Sequence, residues 1–384
     1  MASAQKVTIT VTNPVEEQRE QLVEVPLDSV KARLGLAEGD LFVVKNASRQ
    51  QVPYQVSYDG KLIIDATVRP CGTTTYTVSR GVPETFPTWA QGKMYRVRKD
   101  DIAWENDRGA YRVYGPVLQK TGERSFGIDV WTKNTPDLVV SDRYYKDMEG
   151  NITGWANAKN GKKDDYIDLH SSFHLDHGNG LDCYSVGPSL GCGAPALMIG
   201  DSLVLPYCYK TYKILDNGPL RFTVELTFNP TKIGDDDNVI EHRIISLDKG
   251  SNFNKMTVWY ENLTKPRDLA AGVVLHGTDD VVVGKNFVQY ADPTDQPNCY
   301  GYQLYVGAVF PEGAQTKILS VKHPHDGIYG HAVGIKKGLK NNERYTYYFG
   351  SAWSQYDVRT QAEWQLRVNE MLSAAEAPFM YTLK

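Results

Sequence analysis

The chain has 384 residues, 41% of them hydrophobic and 23% charged, and a formal net charge of −4. Its length suggests more than one structural unit. The slight acidity and the lack of any Lys/Arg block argue against nucleic-acid binding, which needs concentrated positive charge. No apolar run approaches the roughly 20 residues of a membrane helix, so no membrane partner is expected.

In chain order, the first elements read as a small β unit. Val7, Ile9 and Val11 alternate with Thr8, Thr10 and Thr12, the period of a half-buried strand, and residues 21–25 repeat it. Residues 28–34 predict a short helix stopped at Gly35. Strands follow at 41–45, 52–58 and 62–66, the last two split by the hairpin signal Asp59-Gly60, and 74–79 closes the set. Residues 81–87, rich in Pro and Gly, read as a linker, which places one domain at 1–90 and a second at 91–384.

The second part is again β. Leu220, Phe222, Val224, Leu226 and Phe228 share one face of a strand, 241–247 and 254–261 form a hairpin around Asp248-Lys249-Gly250-Ser251, and more strands fall at 269–275, 281–283, 303–310 and 344–349. No βα alternation appears. The expected fold class is therefore all-β: a small N-terminal β domain and a large antiparallel sandwich. Thr360-x-x-Glu363 is a capping box, so one C-terminal helix should begin there, with Trp364, Val368, Met371 and Leu372 on one face. The five cysteines are too scattered for a disulfide framework and read as free thiols.

The chemistry-bearing residues concentrate at 166–193. Alternation over 167–176 predicts a strand with Asp168, His170, His174 and Asp176 on one face, followed by His177, Asp182, Tyr184 and closely spaced glycines. Three readings compete: a solvated strand face, a metal site (His170, His174 and His177 would share a helix face), and a catalytic or sugar-binding cleft. H-E-x-x-H is absent, and the alternation favours the strand, so no metal is assigned. The stretch 100–116 carries Arg112, able to clamp a carboxylate, and Trp104, able to stack on a sugar; a salt-bridged strand with a core tryptophan fits equally. Tyr207 and Tyr209 share a strand face beside Lys210, His276 stands alone at a strand end, and His323, His325 and His331 lie in a predicted loop. Phosphate-binding loops, a dinucleotide fingerprint and a serine nucleophile elbow are all missing, so no cofactor is assigned.

Three phrases carry a resemblance. They are Asp101-Ile102-Ala103-Trp104-Glu105-Asn106-Asp107 with Arg112-Val113-Tyr114-Gly115-Pro116; His174-Leu175-Asp176-His177-Gly178-Asn179-Gly180-Leu181-Asp182 with Tyr184-Ser185-Val186-Gly187; and Ser246-Leu247-Asp248-Lys249-Gly250-Ser251-Asn252. Together they resemble a bacterial family of polysaccharide-utilisation loci, long of unknown function. One of its branches resembles the oligosaccharide dehydratase of ulvan breakdown, which removes water from a non-reducing-end glucuronate. The resemblance implies a galactose-mutarotase-like supersandwich, a periplasmic or secreted location after removal of a signal segment, and a uronic-acid oligosaccharide as partner.

It also implies roles. Elimination at a uronate needs a neutralised carboxylate, a base for the C5 proton and an acid for the C4 leaving group. His174 is the expected base and Tyr184 or Tyr209 the acid, with His177 beside them and Arg112 on the carboxylate. Trp104, Asp176, Asp182, Lys210 and His276 complete the expected substrate contacts. A lyase cleaving a glycosidic bond and a non-catalytic glycan-binding protein are the alternatives.

Overall fold

The computed structural model describes residues 6–157, 171–293 and 301–384. All paired strands among them are antiparallel. The architecture is the expected all-β one, a large sandwich with a small β unit at its N-terminal end and a helix near the C-terminus.

The N-terminal unit packs a four-stranded sheet against a three-stranded one. The alternation predicted for its first strand is real: Val7, Ile9 and Val11 are at most 1% exposed. They meet Val23, Val25, Leu62 and Ile64, together with Leu27, Val30 and Leu34 of the helix Leu27–Leu34. Gly35 ends that helix at φ 60°, the left-handed position that glycine favours. The chain's last strand, Met380–Leu383, pairs with Lys6–Thr12, and Phe379 enters this core. A boundary drawn once near residue 90 therefore separates this strand from the sheet it completes.

The main sandwich opposes a five-stranded and a nine-stranded sheet. Apolar residues of alternate parity, such as Val224, Leu226, Ile245 and Val258 from one sheet and Leu269, Ala271, Val273 and Val333 from the other, fill the interior. Each large side chain so buried contributes about 1.5–3 kcal/mol. The helix Gln361–Glu376 covers the outside of the nine-stranded sheet. Thr360 Oγ accepts from Glu363 N at 3.2 Å, while the Glu363 carboxylate takes the N–H of Arg359 at 2.6 Å. Trp364 and Val368 are fully buried beneath it.

A further four-stranded sheet, Gln91–Tyr95, Asp101–Glu105, Ala110–Val113 and Asp129–Trp131, lies beside the sandwich. One face, with Ile102, Trp104, Tyr111 and Val113, joins the main core. The other, with Ala103, Ala110 and Trp131, packs with Val140 and Tyr144 of a second long helix, Val140–Asn157, which the sequence pattern did not reveal. Glu105 explains why: its carboxylate accepts from Val139 N and Val140 N at 2.8 and 2.9 Å and takes Lys133 Nζ at 2.9 Å. The helix start is thus held by a residue 35 positions upstream rather than by a local box.

Candidate active site

Period-two geometry builds the floor of the site. On the helix-side face of the four-stranded sheet, Arg112 lies opposite both Ala103 and Asp129 in register, and Asp101 shares the parity of Ala103. Arg112 is 4% exposed. One of its Nη2 contacts is a close ion pair with Asp129; Asp182 Oδ2 lies at 3.1 Å and Tyr114 Oη at 3.2 Å. Asp101 Oδ2 is 3.9 Å from Nη1. The rings of Tyr114, Trp131 and Phe173 stand 4.6, 5.2 and 5.9 Å from the guanidinium carbon. Burial disfavours any charge here, yet Asp129 and its neighbours hold the guanidinium well above its ordinary value. The same burial pushes Asp129 up to about 7 and Asp101 up to about 6, with Arg112 pulling both the other way.

Above this floor runs the segment that was expected to be a strand. Residues 167–170, with Asp168 and His170, lie outside the described residues; 171–176 form turns. The reason is local bonding. Asp176 Oδ1 accepts from Gly178 N at 2.8 Å and Gly180 N at 2.9 Å, closing a loop that a strand would have to open. Gly180 sits at φ 94°, where a Cβ would come 2.3 Å from Thr132 O. Arg143 ties the loop down through Asn179 and Thr132 O. His177 Nε2 bonds Ser172 O at 2.9 Å. Asp176 and His177 therefore organise the loop, contrary to the substrate and catalytic roles expected of them.

His174 is positioned differently. Its amide bonds Ser172 Oγ at 3.2 Å and its Nδ1 lies 2.9 Å from Asp182 O. A carbonyl can only accept, so Nδ1 carries a proton, and in the neutral ring the lone pair is on Nε2. The side chain is 56% exposed, so that nitrogen is accessible. His174, Asp182 and Tyr184 all line one cleft of about 530 Å³ with Arg112 and Tyr114. Its other walls include Glu123 and Arg124, the segment 185–188, and Asp326 at the tip of the hairpin formed by Gln315–His325 and Ile328–Leu339. Tyr184 is 5% exposed and its hydroxyl has no hydrogen-bond partner. Burial holds that hydroxyl well above its ordinary pKa, so it is protonated at neutral pH.

The remaining expected residues fall elsewhere. Trp104 is fully buried in the main core with Nε1 on Asn254 Oδ1 at 2.7 Å, so it has no ring face for a sugar. Tyr209 is buried and donates to Asp100 O at 2.5 Å, a structural bond that removes it as the acid. Lys210 is exposed on the strand Tyr209–Asn217 and does not line the cleft. His276 lies behind Tyr184 with its side chain 9% exposed, bound to Asp292 rather than facing substrate. Arg112 lines the cleft, but its charge is already met by aspartates. Asp129, Tyr114, Glu123, Arg124 and Asp326 were missed; only Tyr114 sat in a stretch already marked. Among the described residues no group of three His, Cys, Asp or Glu side chains converges in a metal-binding arrangement. Cys192 and Cys208 are buried free thiols, and Cys183 is buried.

Known proteins give three likenesses. A Formosa agariphila protein named "Uncharacterized protein P7" is 27% identical over 344 residues, 86% of this chain and 73% of its own length. An alpha-mannosidase from Enterococcus faecalis V583 superposes with a TM-score of 0.54 at 9% identity, covering 99% of this chain and 46% of its own. A protein in glycosyl hydrolase family 38 from Enterococcus faecalis gives 0.53 at 8% identity, covering 100% of this chain and 48% of its own. The chain thus spans about half the length of these two structures, and the likeness is one of fold. The family described as "Domain of unknown function (DUF4861)" matches residues 11–380, and the chain belongs to it.

Proposed function

We propose that this protein is a carbohydrate-active enzyme that acts on uronic-acid oligosaccharides by β-elimination, removing water from a non-reducing-end glucuronate. The observation that carries the reading is that two residues suited to the chemistry line one cleft: His174, with Nδ1 bound to a carbonyl and Nε2 left to accept a proton, and Tyr184, whose hydroxyl is buried without a partner and held protonated. The names of the two solved neighbours, an alpha-mannosidase and a family 38 glycosyl hydrolase, support a carbohydrate substrate.

In this reading His174 Nε2 takes the C5 proton. The C5–H electron pair forms the C4=C5 double bond, the C4–O bond breaks, and the departing oxygen takes the Tyr184 proton. Asp182 aligns the base through its backbone carbonyl and joins it to the floor through Arg112. The guanidinium of Arg112 is committed to Asp129 and Asp182, so the exposed Arg124 on the cleft wall is the better cation for the substrate carboxylate. A glycosidic-bond lyase would use the same groups with an alcohol as leaving group.

The test is incubation with uronic-acid oligosaccharides, followed by ultraviolet absorbance of the unsaturated uronate and by mass spectrometry. Loss of one water without shortening supports the dehydratase; internal chain cuts transfer the site to a lyase. An absence of unsaturated product across such substrates refutes both and leaves the glycan-binding reading. We place the enzyme in the periplasm or outside the cell, where such oligosaccharides arise; recovery of the full gene product only from the cytoplasmic fraction of its host would contradict that.

A further inference from the structure

Behind Tyr184, away from the cleft, lies a polar group that this mechanism leaves idle. His276 follows the strand Arg267–Leu275, and Asp292 ends the strand Phe287–Asp292. The His276 Nδ1 to Asp292 Oδ2 distance is 2.7 Å, with the Asp292 side chain fully buried. A carboxylate on Nδ1 fixes the ring orientation and stabilises the imidazolium. The far nitrogen, His276 Nε2, is buried without a partner, as is the Tyr184 hydroxyl. The two rings meet edge to face with centroids 5.5 Å apart. A buried polar group left unpaired costs stability, because it gives up water without gaining a protein partner. Two of them side by side, next to the reacting cleft, mark a place where structure yields stability to function.

The other titratable groups facing His276 are poor proton donors near neutrality. His331, on the strand paired with Arg267–Leu275, accepts Leu190 N at 3.3 Å, and burial with the nearby His276 pushes it down to about 4, so it is neutral. The Tyr290 hydroxyl is raised by burial and by Asp292, and the Cys192 thiol by burial and by Asp292.

We propose that Asp292 and His276 form a proton relay that recharges Tyr184, with His276 acting as a positioning residue behind the tyrosine. The inference rests on the reading of Tyr184 as the acid. When Tyr184 has given its proton to the departing oxygen, the phenolate takes the Nε2 proton of the His276 imidazolium. A small ring rotation or one bridging water closes the gap. The Asp292 carboxylate balances the imidazolium charge beforehand, and solvent returns the proton to His276 afterwards.

The experiment combines His276→Gln, Asp292→Asn and Tyr184→Phe. On a uronic-acid oligosaccharide that the wild type converts, His276→Gln and Asp292→Asn should each lower kcat about 10²-fold, leave KM nearly unchanged and shift the pH profile of kcat. In the Tyr184→Phe background His276→Gln should cost nothing further. Additive losses, or a His276→Gln profile superimposable on wild type, overturn the relay. Nitrogen NMR of the His276 ring, in wild type and in Tyr184→Phe, decides the coupling without turnover: the Nε2 resonance should move, and an unmoved resonance refutes the link. If the wild type eliminates nothing, the functional reading fails by itself while the NMR comparison still settles the coupling. Should His276→Gln not fold, Asp292→Asn and the NMR comparison remain decisive.

Discussion

Replacing Asp129 by Asn tests the electrostatics of the floor. Three carboxylates, Asp101, Asp129 and Asp182, crowd one buried guanidinium, so full ionisation leaves an excess of negative charge with little water to solvate it. Burial first, then the like charge of Asp182, raises Asp129 from 3.8 to about 7 against the pull of Arg112. Because the folded value is the higher one, the folded protein holds more protons than the unfolded chain between about pH 4 and pH 7. Stability from this group is therefore complete below about pH 4 and is lost as the pH rises through about 7. A rise of about three units at 1.36 kcal/mol each is on the order of 4 kcal/mol over the whole range, and about 2–3 kcal/mol of it falls between pH 5 and pH 8. Asp101, which faces the same arginine, is likewise raised by burial, to about 6. Asn keeps a carbonyl oxygen that can accept from Val130 N, as the carboxylate does at 2.9 Å. Urea unfolding at a series of pH values is the assay: the wild type should lose stability from pH 5 to pH 8, and Asp129→Asn should flatten that slope. Parallel slopes in the two proteins would show that the cluster holds no extra proton.

Three further outcomes are expected. His174→Ala should lower elimination by about 10²–10⁴-fold with an unchanged melting temperature, since the side chain is half-exposed; a wild-type rate removes it as the base. Trp364→Ala should cost about 3–5 kcal/mol in urea unfolding, because the indole is fully buried, stacks on Phe253 at 5.1 Å and bonds Val306 O at 3.2 Å; a loss under about 1 kcal/mol would mean the helix packs loosely. Thr360→Ala removes the cap accepting from Glu363 N and should cost about 1 kcal/mol, whereas Thr360→Ser should restore it, as a thermal melt can check.

The regular elements were legible wherever one local rule decided them. Val7, Ile9 and Val11 announce a strand because side-chain direction alternates with every residue, and Thr360 with Glu363 announces a helix because its cap is satisfied within one turn. Gly35 marks a helix end because its φ of 60° suits glycine. The same alternation misled at 171–176, where an Asp176 side chain that bonds two amides outweighs a strand pattern of equal quality. The helix Val140–Asn157 was hidden because its capping carboxylate, Glu105, belongs to another strand.

For the site, the sequence by itself offered the candidate chemistry: it concentrated His174, Asp182 and Tyr184 in one glycine-rich stretch and marked Arg112 as able to clamp a carboxylate. Only the tertiary structure decided what each can do. It set Asp129 opposite Arg112 and Asp182 against the same guanidinium, turning an expected substrate clamp into a neutralised floor. It sent Trp104 into the core and left His276 behind Tyr184 with Asp292 at its back. The physical reason is that charge and burial are sums over neighbours brought together by strand pairing, and those neighbours lie tens to hundreds of positions apart in the chain.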